Sequence, residues 1–407
     1  MTEQLRYEEG RMEFKQQAND AVVVLAHRSA IGRAKKGSLT LTRPDDLVTQ
    51  VLGHIVEKSK ALGLSEDLIE DVLIGCAMPE GEQGLNVARI AALGAGLPHS
   101  TSAATVNRFC ASGVETVATA AAKIAAGHVE AIIAGGVESM TMVPMTGNKP
   151  SMSPDISAKH PDVYAPMGIT AENVAAKFEV SRETQDEFAY RSHQKATAAV
   201  EHNRFADEIV DVQAVAFNAK GEREDKVFNR DELIRPDTTL EALAGLRASF
   251  KVKGSVTPGN SSPLSDGAAA CLITSRAFAE KHKLTPLATI RGYVTTGVDP
   301  AIMGIGPVPA ISKLLARHNL KVSDIDIFEV NEAFASQAVY CQKELGISDE
   351  QLNPNGGAIA LGHPLGATGS RMTATLLHEM KRRDAKLGVV SMCIGGGMGA
   401  AALFQSA

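Results

Sequence analysis

The feature that most constrains this chain is an alternation that occurs twice. Short β-branched apolar runs alternate with stretches of helical period, first over residues 21–143 and again over 283–407, with one long interruption between them. The run Ala21-Val22-Val23-Val24-Leu25 is too short for a helix and apolar at successive positions, so it reads as a strand buried on both faces. Helical patterns at 46–63 and 86–95, apolar runs at 72–76 and 103–106, and an Ala-rich helix from about Cys110 to Ala126 follow, with Gly127 as its C′ glycine. The apolar run 130–134 closes this stretch. Strands alternating with helices predict a mostly parallel sheet covered on both faces. The second stretch repeats the pattern: a strand at 325–330, a helix at 332–345, a glycine-rich loop at 353–369, a helix at 369–383, and strands at 389–392 and 400–404 around a glycine turn. Each stretch has a helix entered through a reactive-looking loop and then a strand ending in Gly-Gly (135–136 and 395–396), which suggests a duplicated α/β unit, although identity between the halves is too weak to establish it.

The interruption begins at Met142. Five prolines (144, 150, 154, 161, 166) crowd the stretch to Gly168, helical patterns follow at 170–178 and 181–202, and residues 218–237 are densely charged. We read 144–249 as an inserted domain, with about 250–282 completing the first half after it. Residues 1–20 are polar and charged, without the apolar core of a signal peptide, and are expected to be a disordered or loosely docked tail.

Composition narrows the chemistry. The net charge of −6 makes a general nucleic-acid binder a poor expectation, so an anionic substrate must be met by a local cluster of positive groups. With no Trp, the core must be aliphatic and Ala-rich. Five widely spaced cysteines, without a C-x-x-C, argue against a disulfide framework or a zinc ribbon and for a reducing compartment. No apolar run approaches the ~20 residues of a bilayer span, and Gln405-Ser406-Ala407 is not a peroxisomal tripeptide. Cytoplasm is the expected address.

Several segments could carry chemistry. Cys110, in Val106-Asn107-Arg108-Phe109-Cys110-Ala111-Ser112-Gly113, stands at the expected start of a helix, where free N–H groups and the helix dipole should lower a thiol pKa. A buried structural cysteine fits this stretch equally well. His363 lies among five glycines in the segment 355–369, and a histidine so placed can act as a general base for a thiol. Cys393 ends a strand and enters the glycine turn Gly395-Gly396-Gly397, whose amides can face an oxyanion. A dinucleotide fingerprint fails there, because a strand follows and no room remains for the acidic partner. Asn331, between a strand and a helix, can be simply an N-cap, and Glu332 a first-turn acid. The segment 254–267 reads as a polar surface loop.

Together these segments resemble the thiolase family. Asn107-Arg108-Phe109-Cys110-Ala-Ser-Gly, Gly254–Ala270, Asn331-Glu-Ala-Phe-Ala, Gly362-His-Pro-Leu-Gly-Ala-Thr-Gly and Cys393-Ile-Gly-Gly-Gly-Met-Gly occur in the family's order and spacing over about residues 20–407. The resemblance implies a thiolase fold, with two similar βαβ-type halves in a layered αβαβα arrangement and an inserted loop domain that grips CoA. It implies Cys110 as nucleophile, His363 as its base and Cys393 as the second acid/base. Asn331 would hold a water that forms one oxyanion hole with His363, and the amides of Cys110 and Gly395 would form the other. No metal or redox cofactor is implied; coenzyme A is a substrate.

The resemblance also bears on the substrate. Family members that make acetoacetyl-CoA usually carry His-Met-Gly where this chain has Pro166-Met167-Gly168. The Asn260-Ser261-Ser262 and Phe334-Ala-Ser-Gln337 stretches are closer to degradative 3-ketoacyl-CoA thiolases of broad chain-length range. Ser262 then matches a CoA-contacting serine, and Met167 and Phe334 match pocket walls. Arg247, Lys251 and Lys253 are candidates, from charge alone, for meeting CoA phosphates. The alternatives are a biosynthetic acetoacetyl-CoA thiolase, a ketoacyl synthase (disfavoured because it typically uses two histidines) and a non-catalytic acyl-CoA-binding subunit. The implied partners are acyl-CoA and CoA, a homodimer or homotetramer, and in some degradative members a hydratase/dehydrogenase subunit.

Overall fold

A computed structural model describes residues 5–8 and 11–407, with side chains from Phe14 onward. Nine strands carry the architecture: β1 (Ala21–Ser29), β2 (Asp71–Gly75), β3 (Ser102–Val106), β4 (Ala131–Ser139), β5 (Ser265–Ser275), β6 (Ala288–Gly297), β7 (Ile327–Val330), β8 (Leu387–Ile394) and β9 (Met398–Ser406). The first half runs in the order β3-β2-β4-β5-β1 and the second in the order β7-β8-β9-β6. In each half one strand, β5 or β9, runs against the others. The expected parallel direction therefore holds within each half except for that strand. The outer edge of β7 meets Leu352 in a single parallel bridge to Phe328, where β3 flanks β2 in the other half. The matching orders make the duplication evident in topology. The halves join edge to edge where Ala288 and Thr289 of β6 pair with Val23 and Val22 of β1.

The layering follows from alternation along the strands. On β2, Val72 and Ile74 face an outer core with Val48, Val51 and Ile55 of the helix Pro44–Ala61, while Leu73 faces a central core. On β8, Val390 faces that central core, and Val389 faces a third core with Ile311 and Leu314 of the helix Pro307–Arg317. The central core is filled by two helices, Ser112–Ala125 and Leu365–Arg383, which carry Val114, Val117, Met372 and Leu376. Helix, sheet, helix pair, sheet, helix is the αβαβα stack.

The two central helices approach closely because glycines face each other. A Cβ on Gly113 would lie 2.6 Å from the Ser370 nitrogen, and one on Gly369 would lie 2.2 Å from the Val114 nitrogen. The Leu365 helix thus starts four residues earlier than the sequence suggests, and its first-turn glycines serve packing rather than a loop. The same holds for Gly135-Gly136, which do not end their strand. The strand continues to Ser139, and a Cβ on Gly136 would meet the Gly366 carbonyl oxygen at 2.1 Å.

The segment 144–249 packs onto the rest of the chain. Its helix Arg182–Glu201 donates through Ser192 Oγ to Glu332 at 2.7 Å, and Ile209–Val210 pairs in parallel with the end of β1. The expectation of a loose N-terminal tail needs correction. Leu5–Glu8 and Arg11–Phe14 form an antiparallel hairpin, and Phe14 is buried in the third core beneath the Arg291 guanidinium. Asp20 accepts from Arg291 at 2.8 Å. For residues 1–4, 9 and 10 that expectation lies outside the described residues. No helix among the described residues is long and apolar enough to cross a membrane.

Candidate active site

Cys110 is held by a local network that its own motif builds. It sits in a 3-10 turn, Phe109–Ala111, just before the helix that begins at Ser112. Phe109 adopts φ 44°, a strained value for an aromatic residue. Asn107 secures it: Oδ1 accepts from the Phe109 amide at 2.8 Å, while Nδ2 donates to the Ala77 carbonyl at 3.0 Å. Ser112 Oγ accepts from the Arg108 amide at 2.8 Å and donates to the Phe109 carbonyl at 2.7 Å. These bonds lock the turn that aims the cysteine inward.

His363 enters from the other half. Gly362 takes φ 101°, which only glycine adopts freely, and Pro364 caps the Leu365 helix. The imidazole is held at both nitrogens. Asn331 Nδ2 lies 3.3 Å from Nε2, and Nδ1 lies 2.6 Å from Thr368 Oγ1. With the amide donating to Nε2, Nδ1 carries the proton and donates to Thr368, which leaves Nε2 as the basic nitrogen. Asn331 is not an N-cap. The following helix starts at Ala335, and the Asn331 amide donates to the Ser391 carbonyl at 2.9 Å, continuing the β7–β8 ladder. Its Oδ1 is buried and has no hydrogen-bond partner. Glu332 is no first-turn acid either; it is buried and accepts from Ser192, Asn353 and the Ile359 amide.

Buried Glu138 ties the halves together at the site. Its carboxylate accepts from the Ala77 amide at 2.8 Å and from the Gly366 amide, at the start of the Leu365 helix, at 2.8 Å.

Eight of the residues singled out from the sequence converge. Cys110, His363, Met167, Phe334 and Ser262 line one cavity of about 430 Å³. Cys393 lies behind it, buried against Met303 and Ala333 with Met167 and Phe334 packed on that cluster. Asn331 is likewise behind the wall, on His363. The Gly395 amide and the Cys110 amide both face the Cys110 thiol. Other lining residues left no mark in the sequence reading: Met140, Met145, Met303, Phe250, Arg33 and Arg235. Arg235 lay hidden in a charged stretch that resembles any solvated surface. Arg247, Lys251 and Lys253, the residues favoured on charge, are exposed and do not line the cavity.

The electrostatics correct one expectation. Burial pushes the Cys110 thiol up to about 11, with Glu138 adding to the rise, while the Gly395 and Cys110 amides pull the other way. Desolvation outweighs the helix-start effect. Burial, with Arg371 second, pushes His363 down to about 3. Cys393 is held well above the usual thiol range by burial and by its neighbours Cys110 and Cys341. The resting site is therefore a neutral thiol beside a neutral imidazole, with amide donors already aimed where negative charge would form.

A duplicated, layered α/β fold that gathers this set of groups in and directly behind one largely apolar cavity is the framework of an acyltransferase. The family described as thiolase, N-terminal domain, matches residues 21–277, and that described as thiolase, C-terminal domain, matches residues 284–406. This chain belongs to the thiolase family. It is 50% identical over 392 residues to the 3-ketoacyl-CoA thiolase of Bacillus subtilis (strain 168), covering 95% of this chain and 99% of that one. It is 48% identical over 391 residues to the peroxisomal 3-ketoacyl-CoA thiolase B of Mus musculus, covering 95% and 91%. Among solved structures, the dimeric peroxisomal thiolase of Saccharomyces cerevisiae superposes with a TM-score of 0.87 at 42% identity over 97% of this chain and 99% of that one. The acetyl-CoA acetyltransferase of Bacillus anthracis gives 0.86 at 39% identity over 95% and 99%.

Proposed function

We propose that the chain cleaves 3-ketoacyl-CoA with a second CoA, giving acetyl-CoA and a shortened acyl-CoA, as a step of fatty-acid β-oxidation. The observation that carries this reading is the Cys110 thiol facing the Gly395 amide and its own amide in the cavity that His363 also lines. Cys110, deprotonated by Nε2 of His363 as substrate enters, attacks the 3-keto carbon. The alkoxide that forms is met by one set of donors. The C2–C3 bond then breaks; its electron pair leaves on acetyl-CoA as an enolate, which Cys393 protonates at carbon. The acyl group stays on Cys110 as a thioester until CoA, deprotonated in turn, displaces it. Two oxyanions form at different places, so two sets of donors are needed. The Cys110 and Gly395 amides make one set. His363 and a water held by Asn331 make the other, and the unpartnered Oδ1 of Asn331 is consistent with such a water.

CoA enters as substrate, and no metal or redox group takes part. Arg33 and Arg235 supply the local positive charge that the chain's overall balance lacks. The degradative branch is favoured over acetoacetyl-CoA synthesis by Pro166, which caps the helix starting at Met167 where synthetic members carry histidine. A homodimer or homotetramer in the cytoplasm fits this reading, as does the absence of disulfides among the five buried cysteines. A non-catalytic acyl-CoA-binding subunit is disfavoured by the retention of all four reactive groups. Assaying CoA-dependent cleavage of 3-ketoacyl-CoA from C4 to C16 tests the assignment. Turnover across the range is expected, and activity confined to C4 would move the chain to the acetoacetyl-CoA branch.

A further inference from the structure

Cys110 and His363 reach the cavity from different halves of the chain, each from a turn just ahead of a central helix. The contact at Gly113 and Gly369 sets the bodies of those helices together, and both reactive residues lie ahead of it. At the level of the turns the halves meet on one oxygen. Glu138, near the end of β4 and 1% exposed, accepts at Oε2 from the Ala77 amide at 2.8 Å and from the Gly366 amide at 2.8 Å. The Ala77 carbonyl in turn accepts from Asn107 Nδ2 at 3.0 Å, and Asn107 Oδ1 accepts from the Phe109 amide, next to Cys110, at 2.8 Å. Gly366 lies in the first turn of the helix whose Thr368 holds Nδ1 of His363. A Cβ on Gly366 would lie 2.8 Å from Glu138 Oε2 and 2.7 Å from the Cys76 Cα, so the helix start comes this close only as glycine.

The other oxygen is fixed as well. Oε1 accepts from the Met78 amide at 3.2 Å and from Gln83 Nε2, with the Cys76 thiol 3.9 Å away. Gln83 is oriented for this by the residue after Glu138, since its own Oε1 accepts from the Ser139 amide at 2.9 Å. Every nitrogen that meets the group donates to it, which is the arrangement of an ionised carboxylate. Burial raises the carboxyl, and the Ala77 and Gly366 amides, Gln83 and the Met78 amide draw it back. The charge also stands at the start of a 19-residue helix, where the dipole favours an anion. An ionised group costs more to bury than an apolar joint. What it adds here is direction, since one oxygen orients two amides at once.

We propose that Glu138 is a positioning residue of the reaction. By sharing Oε2 between the Ala77 and Gly366 amides, it sets the Cys110 turn against the helix start that carries His363, and so holds the thiol within reach of the base. This rests on the reading of Cys110 as nucleophile and His363 as its base. Proton transfer from thiol to imidazole needs a close, aligned approach, and a shift of about 1 Å in such a site can cost roughly 10²-fold in rate. Glu138 acts through Ala77 and Asn107 on one side and through Gly366 and Thr368 on the other. It is not among the residues that line the cavity, so its loss falls on kcat rather than on KM.

The test is steady-state cleavage of 3-ketoacyl-CoA by the full-length protein as a function of pH, with folding of each variant checked by circular dichroism. Glu138→Asp keeps the charge and shortens the reach, so it cannot serve both amides. It should lower kcat near neutral pH by roughly 10²-fold and leave KM within about twofold. The deficit should narrow by up to about tenfold per pH unit above neutrality, as the Cys110 thiolate forms without help from the base. A fold that is merely weakened would lose rate equally at every pH. Glu138→Gln loses the charge but keeps an oxygen for both amides, and its kcat should stay at least about tenfold above that of Glu138→Asp. Asn107→Ala cuts the same chain of bonds at an exposed position and should show the same pH-dependent deficit, which keeps the proposal open to refutation if Glu138→Asp does not fold. Full kcat in Asn107→Ala or in folded Glu138→Asp overturns the proposal. So does a deficit that stays constant with pH, or equal loss in Glu138→Asp and Glu138→Gln. If the unmodified protein does not turn over 3-ketoacyl-CoA, it is the functional reading that fails, and this inference falls with it.

Discussion

Asn331 Nδ2 lies 3.3 Å from Nε2 of His363, and the two residues come from different elements of the second half, the end of β7 and the loop before the Leu365 helix. The contact fixes the imidazole from the side opposite Thr368 and leaves Asn331 Oδ1 free to hold a water. Asn331 thereby links the orientation of the base to the site where one oxyanion would be stabilised.

Asn331→Ala should lower kcat by roughly 10²–10³-fold, the usual cost of losing one oxyanion-hole element. Cys110 should still alkylate at the unmodified rate, because its own amide donors are untouched. Steady-state kinetics alongside iodoacetamide labelling checks this, and unchanged kcat would remove Asn331 from the mechanism.

Thr368→Val removes the acceptor for Nδ1–H while keeping the shape of the side chain. It leaves a buried N–H unpaired and frees the ring to take the other tautomer, so kcat should fall on the order of tenfold to a hundredfold. Thr368→Ser retains the hydroxyl and should restore most of the activity. Equal kinetics for the valine and serine variants would contradict the tautomer assignment.

Glycine-to-alanine changes should have opposite signs at two helical positions. At Gly369 a Cβ would lie 2.2 Å from the Val114 nitrogen, so the central helices must part. A loss of about 1–3 kcal/mol and of most activity is expected. At Gly53, in the helix Pro44–Ala61, a Cβ meets nothing within 4 Å, and alanine should stabilise by roughly 0.5–1 kcal/mol. Denaturant midpoints of the two variants decide between these signs.

The pH dependence follows from the directions of the shifts. His363 is pushed down to about 3 and Cys110 up to about 11, so between those values the base is neutral and the thiol protonated. Alkylation of the free enzyme should rise steadily with pH and show no histidine inflection between about 5 and 8. An inflection near the ordinary histidine value would mean that a standing thiolate–imidazolium pair exists.

Much of this site was legible because its residues need unusual backbone or scarce chemistry. His363 and Cys393 stand in segments crowded with glycine, and Cys110 and Asn331 are followed by small residues, so these segments stand out along the chain. What stayed hidden depends on contacts between distant parts. Gly135-Gly136 read as a strand end, because nothing local reveals that the Gly366 carbonyl presses on Gly136 from another element. Asn331 read equally well as an N-cap, because the helix start at Ala335 is set by the ladder to Ser391 and by the bridge between Ser261 and Phe334. The thiol pKa was misjudged in sign, since helix position can be read locally but burial cannot. Glu138 and Arg371 gave no signal at all. Each is an ordinary charged residue until the fold buries it beside the site.

The central claim is that Cys110 carries the acyl group. Incubating the protein with a 3-ketoacyl-CoA in the absence of free CoA, then measuring the intact mass, tests it most directly. The unmodified protein should gain one acyl group, localised to Cys110 by peptide mapping, and release it on addition of CoA. Cys110→Ser should gain none and lose turnover by at least roughly 10³-fold. Acylation at another residue, or turnover that survives in Cys110→Ser, would contradict the account.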